Sequence, residues 1–346
     1  MKFYRYLVFL VVSLQTCFPL EVKHANLKKS KESGSLPTCM VKSVAEIKNN
    51  VPNLKVLMDK LISTGQASSL SIAITAKGEI VYAQGFGKNV TNETLFQAGS
   101  LSKPVTAFAF LKLAEAGVFN LGHPLSKSTH LPYFDTESQG NLISARHVLS
   151  HTSGMGSDIM GNNRALSFTP GARFSYSGAG FRFLQQAMED KTKKPFSTLI
   201  RPFLDDLGMR TSTFEMPFQD KTFVNAAASL LSTPTELSFL LNQLVEPKKE
   251  NRNVAELMFK PQIKVNDKLS WGLGVGQYRC NDDTVLWHWG SNFETNFTLA
   301  VMYKNSQTGV VIMSSGRSSQ ELLRELVVVA IGGNNYQFWN EVPKSK

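Results

Sequence analysis

The sequence predicts an α+β fold: an antiparallel sheet flanked by helices from both ends of the chain, with a second, mostly helical lobe beside it. Three observations support this fold class. Strand patterns occur near the N-terminus and again in the last third of the chain, tight turns join neighbouring strands, and helical patterns fill the middle. The 346 residues, 42% of them hydrophobic, are enough to bury a large core.

The first part of the folded chain is predicted to form a helix, a hairpin and a second helix. Apolar residues recur at helical spacing over residues 44–62, where Pro52 would kink or split the helix. Alternating strand patterns over 69–75 and 79–83, with a turn between them, indicate the hairpin. A mainly apolar stretch predicts the second helix over 101–116.

Helical patterns continue through the middle of the chain, over residues 146–149, 181–190 and 196–207. A further helix is predicted to begin after Thr233, which can cap it. Pro234 would occupy the first helical position, and Glu236 would reach back to complete a capping box. The helices between residues 121 and 224 would form the second, helical lobe, and helices from both ends of the chain would cover the sheet.

The last part of the chain is predicted to form four strands and a closing helix, over residues 273–278, 284–288, 298–303, 310–314 and 320–331. Residues 41–346 then form a single domain. Its α/β lobe comprises about 41–120 and 225–346, and its helical lobe about 121–224. We expect a ligand-binding cleft between the two lobes.

The N-terminus has the pattern of a secretory signal peptide over residues 1–16. Lys2 and Arg5 precede an apolar run over 6–14 that is too short to span a bilayer comfortably. A short buried helix is the alternative interpretation. The charged flank followed by a short apolar run favours export, so we expect a periplasmic or secreted protein.

Residues 17–40 are mostly polar and aperiodic, and they are predicted to form a flexible linker. Cys17 ends a segment, LQTC, that partly resembles a bacterial lipoprotein box, and a lipid on Cys17 would tether the protein to a membrane. The other two cysteines, Cys39 and Cys280, would form a disulfide in an oxidising compartment or stay as two free thiols. The sequence leaves both alternatives open.

The sequence favours neither a nucleic-acid partner nor a bound metal ion. The formal net charge is +10, yet arginines and aromatic residues form no stripe typical of a nucleic-acid surface, so no nucleic acid is expected. His147 and His151 lie four residues apart but lack an acidic partner at the spacing of a metal site. We interpret both histidines as structural and expect neither a metal nor a cofactor.

Ser100 and Lys103 are the candidate catalytic pair. They lie three residues apart at the start of the predicted helix 101–116, so both side chains fall on one face. A serine hydroxyl needs a base to become a nucleophile, and a lysine can serve if burial lowers its pKa. Lys103 heads a mainly apolar helix, where an amine without a partner or a role is costly. Backbone N–H groups at the helix N-terminus also favour developing negative charge.

The segment 96–103, FQAGSLSK, resembles the active-site segment of the serine β-lactamase and penicillin-binding-protein superfamily. It is most similar to the branch that contains class C β-lactamases, D-alanyl-D-alanine carboxypeptidases, D-aminopeptidases and esterases. Further segments resemble this branch in the same order along the chain: 143–155, 170–177, 226–233, 271–274 and 288–291. Together they cover about residues 45–332, and they imply a β-lactamase/transpeptidase-like fold.

The resemblance implies roles for other residues. Tyr176 matches the family's catalytic tyrosine, and a neighbouring ammonium would lower its pKa so that the phenol relays a proton. Ser100 and Ser291 match the two positions whose backbone N–H groups form the oxyanion hole. His288 and Gly290 match positions that contact substrate, and a glycine at 290 lets the substrate approach the strand closely.

Two motifs depart from the family pattern. Gly178 replaces an asparagine that would orient a substrate amide, and the segment His288-Trp289-Gly290 replaces Lys-Thr-Gly. Trp289 has no hydroxyl to offer, and a neutral His288 binds a carboxylate less strongly than lysine does. Both changes weaken the expected binding of a substrate carboxylate. We therefore do not expect efficient hydrolysis of β-lactams.

The sequence therefore predicts a serine acyl-hydrolase that forms a covalent acyl-enzyme on a peptide, ester or β-lactam carbonyl. The predicted partner is a small-molecule or peptide substrate, with cell-wall fragments among the candidates. One alternative is a catalytically impaired binding module on the same scaffold. Another is a membrane-tethered scaffold that uses the basic linker.

Overall fold

The computed structural model describes residues 39–129, 141–156, 166–280, 282–292 and 295–333. The predicted signal peptide, Cys17 and nearly all of the predicted linker lie outside these residues. Within the described ranges, no helix is long and apolar enough to cross a membrane.

An antiparallel sheet of eight strands forms the centre of the described structure, in the order β2-β1-β12-β11-β10-β9-β8-β7. Two further pairs, β3 with β6 and β4 with β5, are also antiparallel. The predicted fold class is confirmed. The strands are β1 Ser69–Ala76, β2 Glu79–Gly87, β3 Phe96–Gln97, β4 Met216–Phe218, β5 Lys221–Phe223, β6 Leu231–Ser232, β7 Ile263–Lys264, β8 Leu269–Trp271, β9 Gly276–Arg279, β10 Thr284–Asn292, β11 Asn296–Tyr303 and β12 Thr308–Ser315.

The helices of the described residues include two that come from opposite ends of the chain and pack on one face of the sheet, α1 and α8. The helices are α1 Val44–Ser63, α2 Ser102–Glu115, α3 Ala145–Leu149, α4 Gly178–Thr192, α5 Phe196–Asp206, α6 Pro234–Val245, α7 Arg252–Phe259 and α8 Gln320–Ile331. Short 3₁₀ turns cover Gly99–Leu101, Leu125–Ser128 and Lys249–Asn251.

Helix α1 begins with a capping box, because the Ser43 hydroxyl accepts from the Glu46 N–H while the Glu46 carboxylate accepts from the Ser43 N–H. The helix runs through Pro52 as one element, so the predicted split does not occur. Its apolar stripe covers the sheet together with the apolar face of α8. Capping and burial thus fix the first and last helices on the same side of the sheet.

Helix α2 is buried on nearly every side, unlike the amphipathic α1. Eleven of its fourteen residues are buried, including Phe108 and Phe110. It packs in the second apolar core, on the opposite face of the sheet from α1 and α8, with residues of α4, α5 and α6. A helix that is apolar all round is expected in such a position. Lys103 therefore enters the interior of the molecule with this helix.

Helix α6 begins as predicted at Thr233 and Pro234, but the predicted capping box is wrong. The Thr233 hydroxyl accepts from the Glu236 N–H at 3.1 Å. The Glu236 carboxylate does not reach back; it accepts from the backbone N–H groups of Thr211 and Ser212, each at 2.9 Å. A buried carboxylate needs such donors, and here they tie α6 to the loop before β4.

The strand predicted over residues 273–278 is shorter than expected. Gly274 has a positive φ of 87°, and β9 covers only Gly276–Arg279. A left-handed residue interrupts the extended backbone that a ladder needs. The other C-terminal strands and the closing helix form close to their predicted positions, with β10 extending past residue 288 to Asn292.

Cys39 and Cys280 form a disulfide, with a Cα–Cα distance of 5.7 Å. This decides between the two alternatives that the sequence left open. The bond joins the residue at which the described chain begins to the end of β9. An isolated bridge between Val41 and Gly332 lies nearby, so the N-terminal segment is fixed at both β9 and the end of α8.

Candidate active site

Ser100 lies in the 3₁₀ turn that leads into α2, and it is partly exposed. The residue before it, Gly99, has a φ of +53°, and a Cβ added there would come within 2.8 Å of the Ser291 backbone nitrogen. Only glycine fits such a left-handed position at this close approach. The tight turn holds Ser100 against β10.

Lys103 is the buried partner of Ser100. Its Nζ lies 2.8 Å from the Ser100 Oγ and 2.9 Å from the Ala227 carbonyl oxygen, to which it donates. The side chain is only 1% exposed, and burial lowers the Lys103 pKa to about 7. Near neutral pH a large fraction of the amine is therefore uncharged and able to accept the serine proton. The predicted Ser100–Lys103 contact is present.

The segment before β6 holds this end of α2 in place. The Thr106 hydroxyl donates to the Ala226 carbonyl at 2.9 Å, and the Leu230 carbonyl accepts from the Ala98 N–H at 2.8 Å. The Ser102 hydroxyl accepts from the Leu230 N–H at 3.0 Å. Buried backbone groups need such partners, and these connect the Ala-rich segment directly to the Ser100 turn.

Tyr176 faces the pair from the segment before α4. The Lys103 Nζ lies 4.9 Å from the centre of its ring, and the phenol oxygen is buried. That oxygen forms no hydrogen bond of standard geometry with a described residue. Burial raises the Tyr176 pKa well above its usual range, and the nearby Ser100 hydroxyl lowers it by less. The expected lowering of this pKa is therefore wrong, because desolvation of the phenol dominates, and the phenol stays neutral.

The backbone around Gly290 contacts the Ser100 turn. A Cβ at Gly290 would collide with the Ala98 carbonyl and come within 2.9 Å of the Ser100 nitrogen. The Thr298 hydroxyl donates to the Ala98 carbonyl at 2.9 Å, across from Gly290 on β11. These contacts bring the backbone segments that carry the Ser100 and Ser291 nitrogens close together.

His288 is 2% exposed and lies two residues before Gly290 on β10. Its Nδ1 lies 2.7 Å from the Trp289 carbonyl oxygen, so Nδ1 carries the proton and Nε2 is left as an acceptor. The Nε2 atom is buried and has no partner among the described residues. Burial, aided by the Lys103 charge, lowers the His288 pKa to about 3. The imidazole is neutral and supplies no positive charge.

Trp289 adds an aromatic wall that the sequence did not indicate. Its ring centre lies 5.1 Å from that of Tyr176 and 5.3 Å from that of Trp287. From the sequence, Trp289 indicates only that the threonine hydroxyl of the family pattern is missing. Nothing in the sequence pairs Trp289 with Tyr176, which lies 113 positions earlier. The structure shows that the substitution replaces a polar group with an apolar surface next to the phenol.

The two histidines interpreted as structural lie in different places. The Nδ1 of His147 lies 3.1 Å from the Leu142 carbonyl oxygen, away from the Ser100 pair. His151 is fully buried and stacks on Tyr176, so sequence reasoning missed its contact with the site. Gly178, the other departure from the family pattern, starts α4 behind the N-cap Ser177.

The beta-lactamase family model matches residues 54–331 of the chain. The chain belongs to the beta-lactamase family. This match includes every segment that forms the candidate site, from the Ser100 turn to β10. Two curated relatives and one solved structure show what the chain is similar to.

Protein flp from Staphylococcus aureus strain MW2 is 27% identical over 190 residues, which are 47% of this chain and 38% of that protein. Esterase EstB from Burkholderia gladioli is 30% identical over 185 residues, 42% of this chain and 46% of that protein. The matches thus span less than half the length of these curated relatives. The octameric penicillin-binding protein homologue from Pyrococcus abyssi has the same fold, with a TM-score of 0.68, 21% identity and coverage of 81% of this chain and 76% of that one.

Proposed function

We propose that this protein is a serine acyl-hydrolase with Ser100 as nucleophile. The observation that carries the proposal is the 2.8 Å contact between the Ser100 hydroxyl and the buried Lys103 amine, whose pKa is about 7. A base with a pKa near the working pH is best suited to remove a proton from serine. The neutral phenol of Tyr176 lies beside the same pair.

The proposed reaction has two halves. Ser100 Oγ attacks a carbonyl carbon and passes its proton to Lys103, while the backbone N–H groups of Ser100 and Ser291 stabilise the oxyanion. The intermediate collapses, and the leaving group departs with a proton delivered by Lys103 through Tyr176. Water then attacks the acyl-enzyme and gives up a proton to Lys103. As the second intermediate collapses, that proton returns to Ser100 Oγ, and the acid and free Ser100 are released.

We propose that the preferred carbonyl substrates, whether esters, peptides or cell-wall fragments, lack a carboxylate beside the scissile bond. A neutral His288 offers an acceptor rather than a positive charge, and Trp289 presents an aromatic surface. The name of the relative EstB, an esterase, is consistent with this preference. On this proposal an uncharged aryl ester reacts faster than a β-lactam or a peptide with a free C-terminal carboxylate.

We further propose that the protein is exported. The Cys39–Cys280 disulfide supports this proposal, since such bonds persist in oxidising compartments. A lipid on Cys17 would add a membrane tether. Intact-mass measurement of the protein expressed with its full N-terminus reports cleavage before Cys17 and any attached lipid. An uncleaved N-terminus on protein recovered outside the cytoplasm would contradict the predicted signal peptide.

Covalent labelling tests the proposed nucleophile. The folded protein is incubated with a fluorophosphonate and, separately, with penicillin, and the adduct is located by peptide mass spectrometry. We expect one fluorophosphonate on Ser100 and none on a Ser100→Ala variant, whose ester hydrolysis falls by at least about 10³-fold. Ser63→Ala, at an exposed serine at the end of α1, is the matched control.

The result of this experiment also separates the two functions considered for the fold. Labelling of another residue, or full turnover by Ser100→Ala, would refute the proposed nucleophile. A folded wild-type protein that reacts with neither probe and hydrolyses no ester would favour a binding module. The replacement of a lysine and a threonine by His288 and Trp289 makes that second function worth testing.

A further inference from the structure

We infer that His151 is a positioning residue for Tyr176, holding the phenol against the Ser100–Lys103 pair. The inference rests on the proposed function, in which Tyr176 delivers a proton. It assigns a role in the reaction to a histidine that its position in the sequence does not distinguish from an ordinary core residue.

Three contacts join His151 to the three residues centred on Tyr176. The His151 carbonyl accepts from the Ser175 N–H at 2.7 Å, and its Nδ1 accepts from the Ser177 N–H at 3.0 Å. Between these two hydrogen bonds, the imidazole stacks on the phenol ring with their centres 4.1 Å apart and their planes 27° apart. One residue thus fixes the backbone on both sides of Tyr176 and the plane of its ring.

The backbone of His151 is unusual for its position. His151 directly follows Ser150, the C-cap of α3, and has the left-handed conformation, with a φ of 55°. The His151 N–H donates to the Val148 carbonyl at 3.1 Å and the Thr152 N–H to the His147 carbonyl at 2.8 Å, which is the Schellman arrangement. Glycine is the usual residue at such a position, because a side chain there costs free energy. A histidine at this position is explained by the contacts that its ring and its Nδ1 make.

The imidazole is held in one chemical form. Because Nδ1 accepts from Ser177, the proton lies on Nε2, which is buried and has no partner among the described residues. Aromatic rings of Phe174, Phe181 and Trp271 lie 5.2–5.9 Å from the imidazole centre. Burial lowers the His151 pKa, and the nearness of two other titratable groups, Lys103 and His288, disfavours its protonation further. The ring is therefore a fixed, neutral support.

The test is a double-mutant cycle with His151→Asn and Tyr176→Phe. Asparagine tolerates the left-handed backbone and keeps a short acceptor, but it has no ring to stack on the phenol. Phenylalanine at 176 keeps the stacked ring and loses only the hydroxyl. Kinetics of 4-nitrophenyl butyrate hydrolysis are measured for the wild type, both single variants and the double variant, with circular dichroism as the check on folding.

If His151 acts through Tyr176, His151→Asn lowers kcat about 10–100-fold with little change in KM, and it has no further effect in the Tyr176→Phe background. Equal losses in both backgrounds would show that His151 acts independently, and an unchanged kcat in His151→Asn would show that it has no positioning role. Either result overturns the inference while Ser100 labelling persists.

Two further results of the cycle bear on the roles of Tyr176 and His151. A Tyr176→Phe variant with wild-type kcat would refute the proton-transfer role of Tyr176 in the proposed function, and this inference with it. If the asparagine variant does not fold, the cycle is repeated with His151→Gly, which suits the left-handed backbone but lacks both the ring and the acceptor. The same pattern of losses is expected there.

Discussion

Lys103 combines deep burial with two hydrogen-bond partners among the residues that the structure describes, the Ser100 hydroxyl and the Ala227 carbonyl. Neither partner carries a charge that would offset the desolvation of an ammonium. This explains why the Lys103 pKa falls from 10.5 to about 7. Burial makes the Lys103 amine a suitable base, and it also lowers the stability of the fold. A substitution of Lys103 should therefore reduce activity and increase stability.

We predict that Lys103→Met abolishes hydrolysis and raises the free energy of unfolding at pH 7 by about 2 kcal/mol. Each pKa unit corresponds to about 1.4 kcal/mol, and the lost hydrogen bonds offset part of the gain. Between pH 7 and 10.5 the unfolded wild type binds more protons than the folded one, so wild-type stability rises with pH across this window. The advantage of the variant should therefore shrink towards pH 10.

Urea unfolding of both proteins at pH 7, 8, 9 and 10 measures this effect. Lys48→Met, at an exposed position of α1, is the control for removing a lysine from the surface, and it should show no such trend. A Lys103→Met protein that is less stable than the wild type at pH 7 would contradict this prediction, because the lost hydrogen bonds would then outweigh the desolvation cost of the amine.

Strand β10 places two residues of the candidate site on one face through its pleat. His288 and Gly290 lie on the same face of the strand, since successive side chains alternate, and Gly290 contacts the Ser100 turn. Pairing of Gly290 with Thr298 on β11 sets this register. A shift by one residue would put Trp289 where the turn needs a residue without a side chain.

We predict that Gly290→Ala lowers kcat at least about 100-fold and destabilises the fold by about 1–3 kcal/mol. The added methyl group would collide with the Ala98 carbonyl and crowd the Ser100 nitrogen, so the turn must move away from β10. Hydrolysis rates and thermal melts measure both effects. Gly122→Ala, where the nearest atom to the new methyl group is 3.6 Å away, is the matched control and should behave as the wild type.

The disulfide connects the N-terminal segment to the sheet across a sequence separation of 241 residues. Constraint of so long a loop lowers the entropy of the unfolded chain, and the loss of such a bond costs about 2–5 kcal/mol. The bond lies outside the Ser100 site, so it should affect stability and leave the chemistry unchanged.

We predict that Cys39→Ser/Cys280→Ser unfolds at a lower urea concentration than the wild type, by the equivalent of about 2–5 kcal/mol, with the same kcat at 25 °C. A reducing agent should lower the stability of the wild type and leave the double variant unchanged. Identical unfolding of the oxidised wild type and the double variant would show that the bond does not stabilise the fold.

The sequence alone determined the architecture of this protein and the pairing of Ser100 with Lys103. Both depend on local spacing: period-two and period-3.6 apolar patterns select strands and helices, and residues three apart on a helix must share a face. The order of the family-like segments then placed Tyr176, His288 and Ser291 in one candidate site. These predictions needed no knowledge of distant contacts.

Only the tertiary structure decided the environment of those residues. Four features depend on which distant segments pack together: the raised Tyr176 pKa, the neutral His288, the contacts of His151 with the Tyr176 segment and the Cys39–Cys280 bond. Desolvation, stacking and cross-linking act through space and leave no periodic signal in the chain. The sequence therefore predicted which residues form the candidate site, whereas the packing of distant segments decided their charge states and the residues that hold them in place.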